Sequence, residues 1–517
     1  MVEEITVDAA SLDLSGGDIA ALERHFEVAP RTGSEADTLA ALDALGMAAF
    51  TDGRTIDGAT VTYTGWRAEQ DGTTVTADTL TLQGVHQGPD GASFDALILD
   101  DLALADAATA VSAGELVVMR PDAELAADLL SVLRGDAGAP DEADIRSAGA
   151  LGAVRMAEVE VAVDEPDQQG TVSLGQLVFG QDNEAGTFDL LVDTVAMDLG
   201  APEAAARNVL RMDGMTAIGV RAGEDEAGAG LLGLLGGGAS MLVPGAEPPF
   251  RQVDVGTIEY RSGGLDLDFA GFEADSEGGG DVLTLRSVLQ PMTLNLKDAA
   301  GTPLAPFYDA LAGNGLAEFS LKGSQVSTFD RRADRVEVSE SRFEIDEGLR
   351  MDCDYAVEGM QEAARALEAS GVSAPDASNL QTDEDISRFI EQSEAYAQAQ
   401  SDANGRLRIA SLDCAVQDVA GNSFVTRAYA AASDITGMPV AVLKGQAKTV
   451  IAMSSLTARD TFQRDLMDTL GSGLIDFLDT PGQTLRVTIA PDAPVPLSTF
   501  TGEDATLEPL NLSVSVD

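Results

Sequence analysis

Residues 328–338 read TFDRRADRVEV, and residues 343–351 follow as FEIDEGLRM. In both, a cluster of charged residues gives way to a segment in which apolar and polar side chains alternate. Alternation with a period of two places one set of side chains on each face of an extended strand. The charged clusters between such strands have the composition of tight turns. A strand, a short charged turn and another strand make a hairpin, and successive hairpins make an antiparallel sheet.

The same texture extends in both directions. Strand-like runs occur at 59–64, 73–82, 96–104, 115–119, 154–163, 171–179, 187–199 and 256–269. They recur at 282–296, 316–326, 335–345, 349–357, 407–416 and 485–489, and Ile5-Thr6-Val7 opens the chain with another. Asp-Gly pairs at 52–53, 57–58 and 71–72 are hairpin chemistry, because glycine accepts the positive φ that two-residue turns require. Helical spacing interrupts the strands. Ser34 caps a segment with Leu39, Leu42 and Leu45 on one side, and Pro121-Asp122 starts another with Leu125, Leu129 and Leu133. Further helices are expected from Pro202 through Leu210, at 306–311, at 358–370, at 383–403 and at 457–478. Thr382 with Asp385 forms a capping-box pattern, with Ile386, Phe389 and Ile390 as the buried stripe of that helix. Phe462, Leu466, Leu470, Leu474 and Phe477 give the last helix one apolar side.

The expected fold class is therefore α+β and β-dominated, with serial antiparallel curved sheets, interspersed amphipathic helices and a degenerate strand–strand–helix repeat. Four sheet-and-helix segments are expected, at 1–140, 141–245, 246–370 and 371–517, the last beginning with a helical insertion. The glycine-rich stretch near 222–248 and the polar stretch 372–382 are the candidate linkers.

Charge narrows the function. The 517 residues contain 87 acids against 31 basic residues, a formal net charge of -56, and only four lysines, Lys297, Lys322, Lys444 and Lys448. Nucleic-acid binding needs clustered cations to displace counterions from phosphates, so that partner is excluded. Such acidity serves either as a solvated carboxylate surface suited to salt or as a source of oxygen ligands for divalent cations. Weak calcium sites are conceivable at Asp164-Glu165-Pro166-Asp167, at Gln181-Asp182-Asn183-Glu184 and at Asp266-Leu267-Asp268, although none completes a twelve-residue calcium loop. No other metal site and no cofactor is expected.

Catalytic signatures are missing. His25 and His86 are the two histidines, neither of them in a metal-binding or nucleophile-elbow pattern, and Gly236-Gly237-Gly238 lacks the Lys-Ser/Thr of a phosphate-binding loop. Paired carboxylates could hydrolyse glycans, but chance pairs abound among so many acids, and aromatic residues make up only 5% of the chain, with Trp66 the one tryptophan. A non-enzymatic protein is expected, with no catalytic residues.

The two cysteines, Cys353 and Cys414, both lie in strand-like segments flanking a helical stretch. Two strands that leave and re-enter one sheet can be neighbours, so a disulfide is expected; the alternative is two buried free thiols. No apolar run reaches the roughly 20 residues of a membrane-spanning helix; the nearest, Ala227 to Val243, is broken by glycines. The first residues lack the basic and apolar regions of a secretory leader. The chain is then either cytosolic or a mature form whose leader has been removed, and strand structure from residue 5 favours the second.

At 315–360 and at 457–517, where Gly473 to Ile489 reads GLIDFLDTPGQTLRVTI, the chain resembles uncharacterised secreted proteins of alphaproteobacteria. More distantly it resembles the AsmA/YdgA-type periplasmic repeat proteins of Gram-negative envelopes. The resemblance implies long curved sheets, a periplasmic or extracellular location and, for some members, phospholipid handling; it brings no catalytic residues. Two functions follow as expectations. One is an exported envelope protein whose curved sheet binds lipid or another hydrophobic ligand, with faces such as Leu407 with Ile409, or Leu265, Leu267 and Phe269, as candidates. The alternative is an extracellular scaffold whose acidic surface holds cations or an envelope protein partner.

Overall fold

The computed structural model describes residues 4–7, 59–70, 73–88, 91–105, 109–121, 126, 152–164, 168–182, 187–200, 207–221, 250–296, 305–372, 383–454, 461–500 and 505–517. The chain divides into two compact units, Met1–Glu226 with Phe250–Gly263, and Ala227–Pro249 with Gly264–Asp517, where the sequence suggests four segments. The fold is α+β and β-dominated, and its strands pair antiparallel.

The first unit contains β1 (Glu4–Val7), β2 (Ala59–Gln70), β3 (Thr73–Gly88), β4 (Gly91–Ser93), β5 (Ala96–Ala105), β6 (Thr109–Met119), β7 (Ala153–Asp164), β8 (Gln169–Asp182), β9 (Thr187–Gly200), β10 (Asn208–Arg221) and β11 (Gln252–Arg261). Apart from the short β4, each strand pairs with the one before and after it, so β1-β2-β3-β5-β6-β7-β8-β9-β10-β11 is a meander in chain order. Gln70 stands opposite Thr73; the Asp71-Gly72 pair between them lies outside the described residues. One correction concerns the helix expected from Pro202 to Leu210: residues 208–221 are strand β10, paired on both sides. A proline–alanine segment has helical composition, but Val209, Met212, Met215 and Ile218 meet their partners as strand residues, and pairing overrides local propensity.

The second unit contains β12 (Leu265–Phe269), β13 (Phe272–Gly279), β14 (Val282–Leu296), α1 (Ala305–Gly313), β15 (Glu318–Asp330), β16 (Arg335–Ile345), β17 (Leu349–Glu358), α2 (Met360–Ser370), α3 (Asp383–Asn404) and β18 (Arg408–Asp418). It continues with α4 (Phe424–Thr436), α5 (Val440–Ser454), α6 (Thr461–Asp479), β19 (Thr484–Ile489), β20 (Val495–Pro496) and β21 (Ser513–Val516). Here β12 and β13 share β14, the ladder runs β14-β15-β16-β17-β18-β19-β21, and β20 closes on β18. The run expected at 256–269 is thus two strands, and α4 and α5 are helices that the sequence reading lacks. The helices expected from Ser34 and beyond Asp122 lie outside the described residues apart from Ala126, as do both candidate linkers apart from Val372.

The opening hairpins show how charged turns work. Asp330 accepts hydrogen bonds on one carboxylate oxygen from the backbone N–H groups of Arg332 (2.9 Å) and Ala333 (3.0 Å), holding the β15–β16 corner. Asp334, four residues on, takes a positive φ of 49° and caps α2. Gln361 N–H donates to one of its oxygens at 2.8 Å and Glu362 N–H to the other at 3.4 Å. The helix's own N-cap, Gly359, has no side chain to do this. Phe329, Val336, Val338 and Leu283 form a buried cluster beneath these turns.

Candidate functional site

The strands β5 to β11 repeat one motif. In β5 it is Leu97-Ile98-Leu99-Asp100-Asp101-Leu102-Ala103-Leu104, in β8 Val172-Ser173-Leu174-Gly175-Gln176-Leu177-Val178-Phe179, and in β11 Val253-Asp254-Val255-Gly256-Thr257-Ile258-Glu259-Tyr260. Two apolar residues alternate with a neighbour, two polar or small residues interrupt, and two more apolar residues follow. β6, β7, β9 and β10 follow the same rule, with Gly114-Glu115, Ala157-Glu158, Asp193-Thr194 and Asp213-Gly214 as the interruptions.

Register aligns the motifs. Leu102 stands opposite Ala113, Ala113 opposite Val159, Val159 opposite Leu174, Leu174 opposite Val195, Val195 opposite Met212, and Met212 opposite Ile258. One turn of the pleat further out, Leu104, Val111, Val161, Val172, Met197, Leu210 and Tyr260 form a parallel row. Two more rows lie beyond the interruption, through Leu99, Leu116, Met156 and Leu177, and through Leu97, Val118, Val154 and Phe179. All four rows across these seven strands are apolar.

The two-residue interruption keeps them on one face. Leu99 and Leu102 are three positions apart, which strict alternation would place on opposite sides; one extra residue restores the phase. Positive φ values mark the step at Asp101 (49°), Glu158 (53°) and Gly214 (84°). Polar residues of the step bond across strands: Thr257 Oγ1 donates to Asp213 at 2.9 Å, and Thr79 Oγ1 of the neighbouring β3 donates to Asp100 at 2.5 Å. Glycine is required where they crowd. A Cβ on Gly256 would lie 1.7 Å from the Asp213 carbonyl oxygen.

The apolar rows are not uniformly buried. Val253, Ala217 and Leu97 are buried, whereas Val161, Val172, Met197, Leu210 and Tyr260 are half-buried. On the opposite face near Leu97, Ala96, Ile98, Val117, Met119, Ala153, Val178 and Ile218 form a closed core. In the second unit, α6 packs on β19 and β21, and Met360 of α2 packs on the Phe329 cluster. Tyr260 ends its row with a polar tip, its hydroxyl donating to Asn208 at 3.3 Å.

In the second unit Cys353 and Cys414 stand directly opposite each other on β17 and β18, with Cα atoms 4.1 Å apart and sulfur atoms at 2.19 Å, within bonding reach. That separation is typical of a non-hydrogen-bonded antiparallel pair, where side chains approach most closely. The pair lies at the base of the excursion carrying α2 and α3. On the reverse face of the same strands the charges pair across the ladder. Asp352 accepts from Arg342 of the next strand at 2.7 Å, Arg350 of its own strand reaches it at 2.8 Å, and Arg486 binds Asp413 across the ladder at 3.0 Å. Partial burial works to raise the Asp352 carboxyl, but hydrogen bonds from both arginines, reinforced by their charge, outweigh it and hold the group below the ordinary carboxylate range.

The other sequence candidates separate. Asp266-Leu267-Asp268 is not a turn but part of β12, where Leu267 faces Leu294 of β14, so its carboxylates fall on one side of a paired strand instead of converging. Among the described residues no group of three or more His, Cys, Asp or Glu side chains is placed to hold a metal ion. Parts of the turns at 164–167 and 181–184 lie outside the described residues, and His25 does so entirely; His86 lies in β3 opposite Ser93. Leu407 precedes β18 and Ile409 pairs with Val357 and Val495, while Leu265 and Phe269 pair with Leu296 and Met292. The stripe expected to be buried on α3 is not: Ile386 is 44% and Ile390 50% exposed.

Residues 342–517 match a family described only as an uncharacterized protein. No curated protein matches the chain. Among solved structures, a porin mutant from Rh. blastica is 12% identical over 59% of this chain and 88% of its own, at a TM-score of 0.13, a likeness too slight to bear on fold or function. No described helix is long and apolar enough to cross a membrane.

Proposed function

We propose that this chain is a non-enzymatic, exported envelope protein that holds the acyl chains of a lipid, or a similarly elongated apolar ligand, on the face of β5 to β11. The observation that carries this reading is the set of four aligned apolar rows across seven strands, half-buried along much of its length. Six inter-strand intervals of about 4.8 Å make the face roughly 29 Å wide. An acyl chain spans half of a bilayer's hydrocarbon core, about 15 Å, so several chains fit side by side. Ligand sites are mostly apolar with a few polar groups for orientation, and the Tyr260–Asn208 pair supplies such groups at the end of one row. The reading calls for no cofactor and no catalytic group.

The cysteine pair supports export. Disulfides persist in oxidising compartments such as the periplasm and cell exterior, and Cys353 and Cys414 are placed to form one.

Native mass spectrometry on protein purified without detergent, followed by lipid extraction, tests the proposal. A bound hydrophobic species of defined mass is the expected result. A clean apoprotein mass, with the face filled by the chain's own side chains, would sink it.

A further inference from the structure

Cys353 and Cys414 sit at a seam. β17 and β18 are neighbours in the sheet, but the chain between them leaves through α2 and α3 before it returns. Among the described residues of the second unit, β12 to β17 precede that excursion and β18 to β21 follow it. Ten register pairs join the two sides, from Leu349 with Asp418 to Glu358 with Arg408, and the cysteines are the fifth. The ladder on either side of them therefore keeps the two cysteines face to face whether or not they are bonded.

Side chains tie the ends of the seam. Near Leu349, Arg427 of α4 pairs with Asp346 and donates to the Gly315 carbonyl at 2.8 Å, and Asn422 donates to the Asp346 carbonyl at 3.0 Å. Near Glu358, Glu362 of α2 pairs with Arg406 at 3.4 Å and with Arg408 at 2.9 Å; exposed ion pairs of this kind hold weakly. The cysteines between these ends are half-buried. Met351, two residues from Cys353 and so on the same side of β17, is 37% exposed, which brings solvent to that side of the strand.

We infer that the bridge is a redox-dependent lock on this seam. Closed, it keeps the β12–β17 and β18–β21 sides joined; reduced, it lets them part far more readily while the protein stays folded. Parting the seam around a closed bridge leaves a loop spanning 61 residues, less free than an open chain, so closure disfavours the parted state. The thiolate of a dithiol attacks one Sγ, forming a mixed disulfide and releasing the other cysteine as a thiolate, which takes up a proton. The second thiol, after losing its proton, displaces the first cysteine. Two electrons pass to the bridge, two cysteine thiols form and the dithiol leaves as a cyclic disulfide. The redox poise of the compartment then sets how readily the seam opens. The lock is independent of the lipid reading of the strand face.

Hydrogen exchange read by mass spectrometry tests it on the full chain, with and without dithiothreitol and in the absence of denaturant. Thiol counting should find no free thiol before treatment and two after. Exchange in β17 and β18 should then rise at least about tenfold, with β6 to β9 of the first unit unchanged. The C353S/C414S variant should show the same raised exchange without any reductant, and circular dichroism checks that both forms keep their sheet. Free thiols before treatment, a bridge that resists dithiothreitol in the folded protein, or unchanged exchange in β17 and β18 after reduction would each overturn the inference. So would an equal rise in β14 and β15, or loss of folded structure on reduction, since either makes the bridge a general brace and not a lock on one seam.

Discussion

Asp418 is fully buried, yet among the described residues no cation pairs with it. Its carboxylate accepts instead from Ser423 Oγ at 2.6 Å, Gly482 N–H at 2.9 Å and Val425 N–H at 3.2 Å, joining the end of β18 to the start of α4 and to the turn before β19. Asp418→Ala would strand two backbone donors, so a loss of about 3 kcal/mol is expected, seen as a lower urea midpoint, with Asp418→Asn milder. Tyr355 and Tyr429 respond to pH. Burial raises both phenols above their ordinary value, and the Asp479 carboxylate adds to the shift at Tyr429. A raised folded pKa favours the protonated form, so their contribution is present below about pH 10 and is lost as pH rises beyond it. Tyr355→Phe should flatten that alkaline fall in melting temperature; an identical alkaline profile would contradict the assignment. Asp352 works in the other sense, its contribution present above about pH 4 and lost as acid protonates it; its exposure, at 43%, keeps the effect small.

Elements in the second unit are fastened by contacts distant in sequence. α6 lies on β19 and β21 through Gly473, where a Cβ would stand 2.4 Å from Val514 and 3.1 Å from Leu485. Gly473→Val should therefore cost about 1–3 kcal/mol by overpacking, measurable as a lower thermal midpoint. The stripe Phe462, Leu466, Leu470, Leu474 and Phe477 read from spacing does face inward, and Phe462 stacks on Phe500 at 4.9 Å. The α3 stripe failed for a physical reason: helical periodicity says which residues share a side, not whether a partner element covers it. The cysteine bridge spans 61 residues, and closing such a loop stabilises by roughly 4 kcal/mol in the chain-entropy model. Thiol titration of unreduced protein under denaturant should find no free thiol, and two free thiols would refute the bridge.

For the molecule as a whole, the strand face makes the prediction that tests its proposed function. Leu174→Asp, at the centre of the apolar rows, should strip the bound ligand from native mass spectra. Loss of ligand from a variant that also unfolds would be uninformative, so circular dichroism accompanies the mass measurement. Unchanged ligand occupancy in a folded Leu174→Asp protein would remove this face as the binding surface.

Much of this was legible in the residues. Alternation with charged turns was enough for antiparallel hairpins, and β16 begins and ends where its pattern does. The expectation that the chain does not bind nucleic acid rests on charge alone, because Coulomb repulsion needs no fold to act. The motif of paired apolar residues around a polar step was also present in the letters, but its meaning was not: only register shows that seven copies fall side by side and that an extra residue in each keeps the rows on one face. The capping of α2 by Asp334 belongs with the register, since an acceptor from a hairpin turn has no trace in the helix it serves. Local periodicity is a property of neighbours in sequence, whereas coverage, capping and the alignment of rows depend on which distant segments meet.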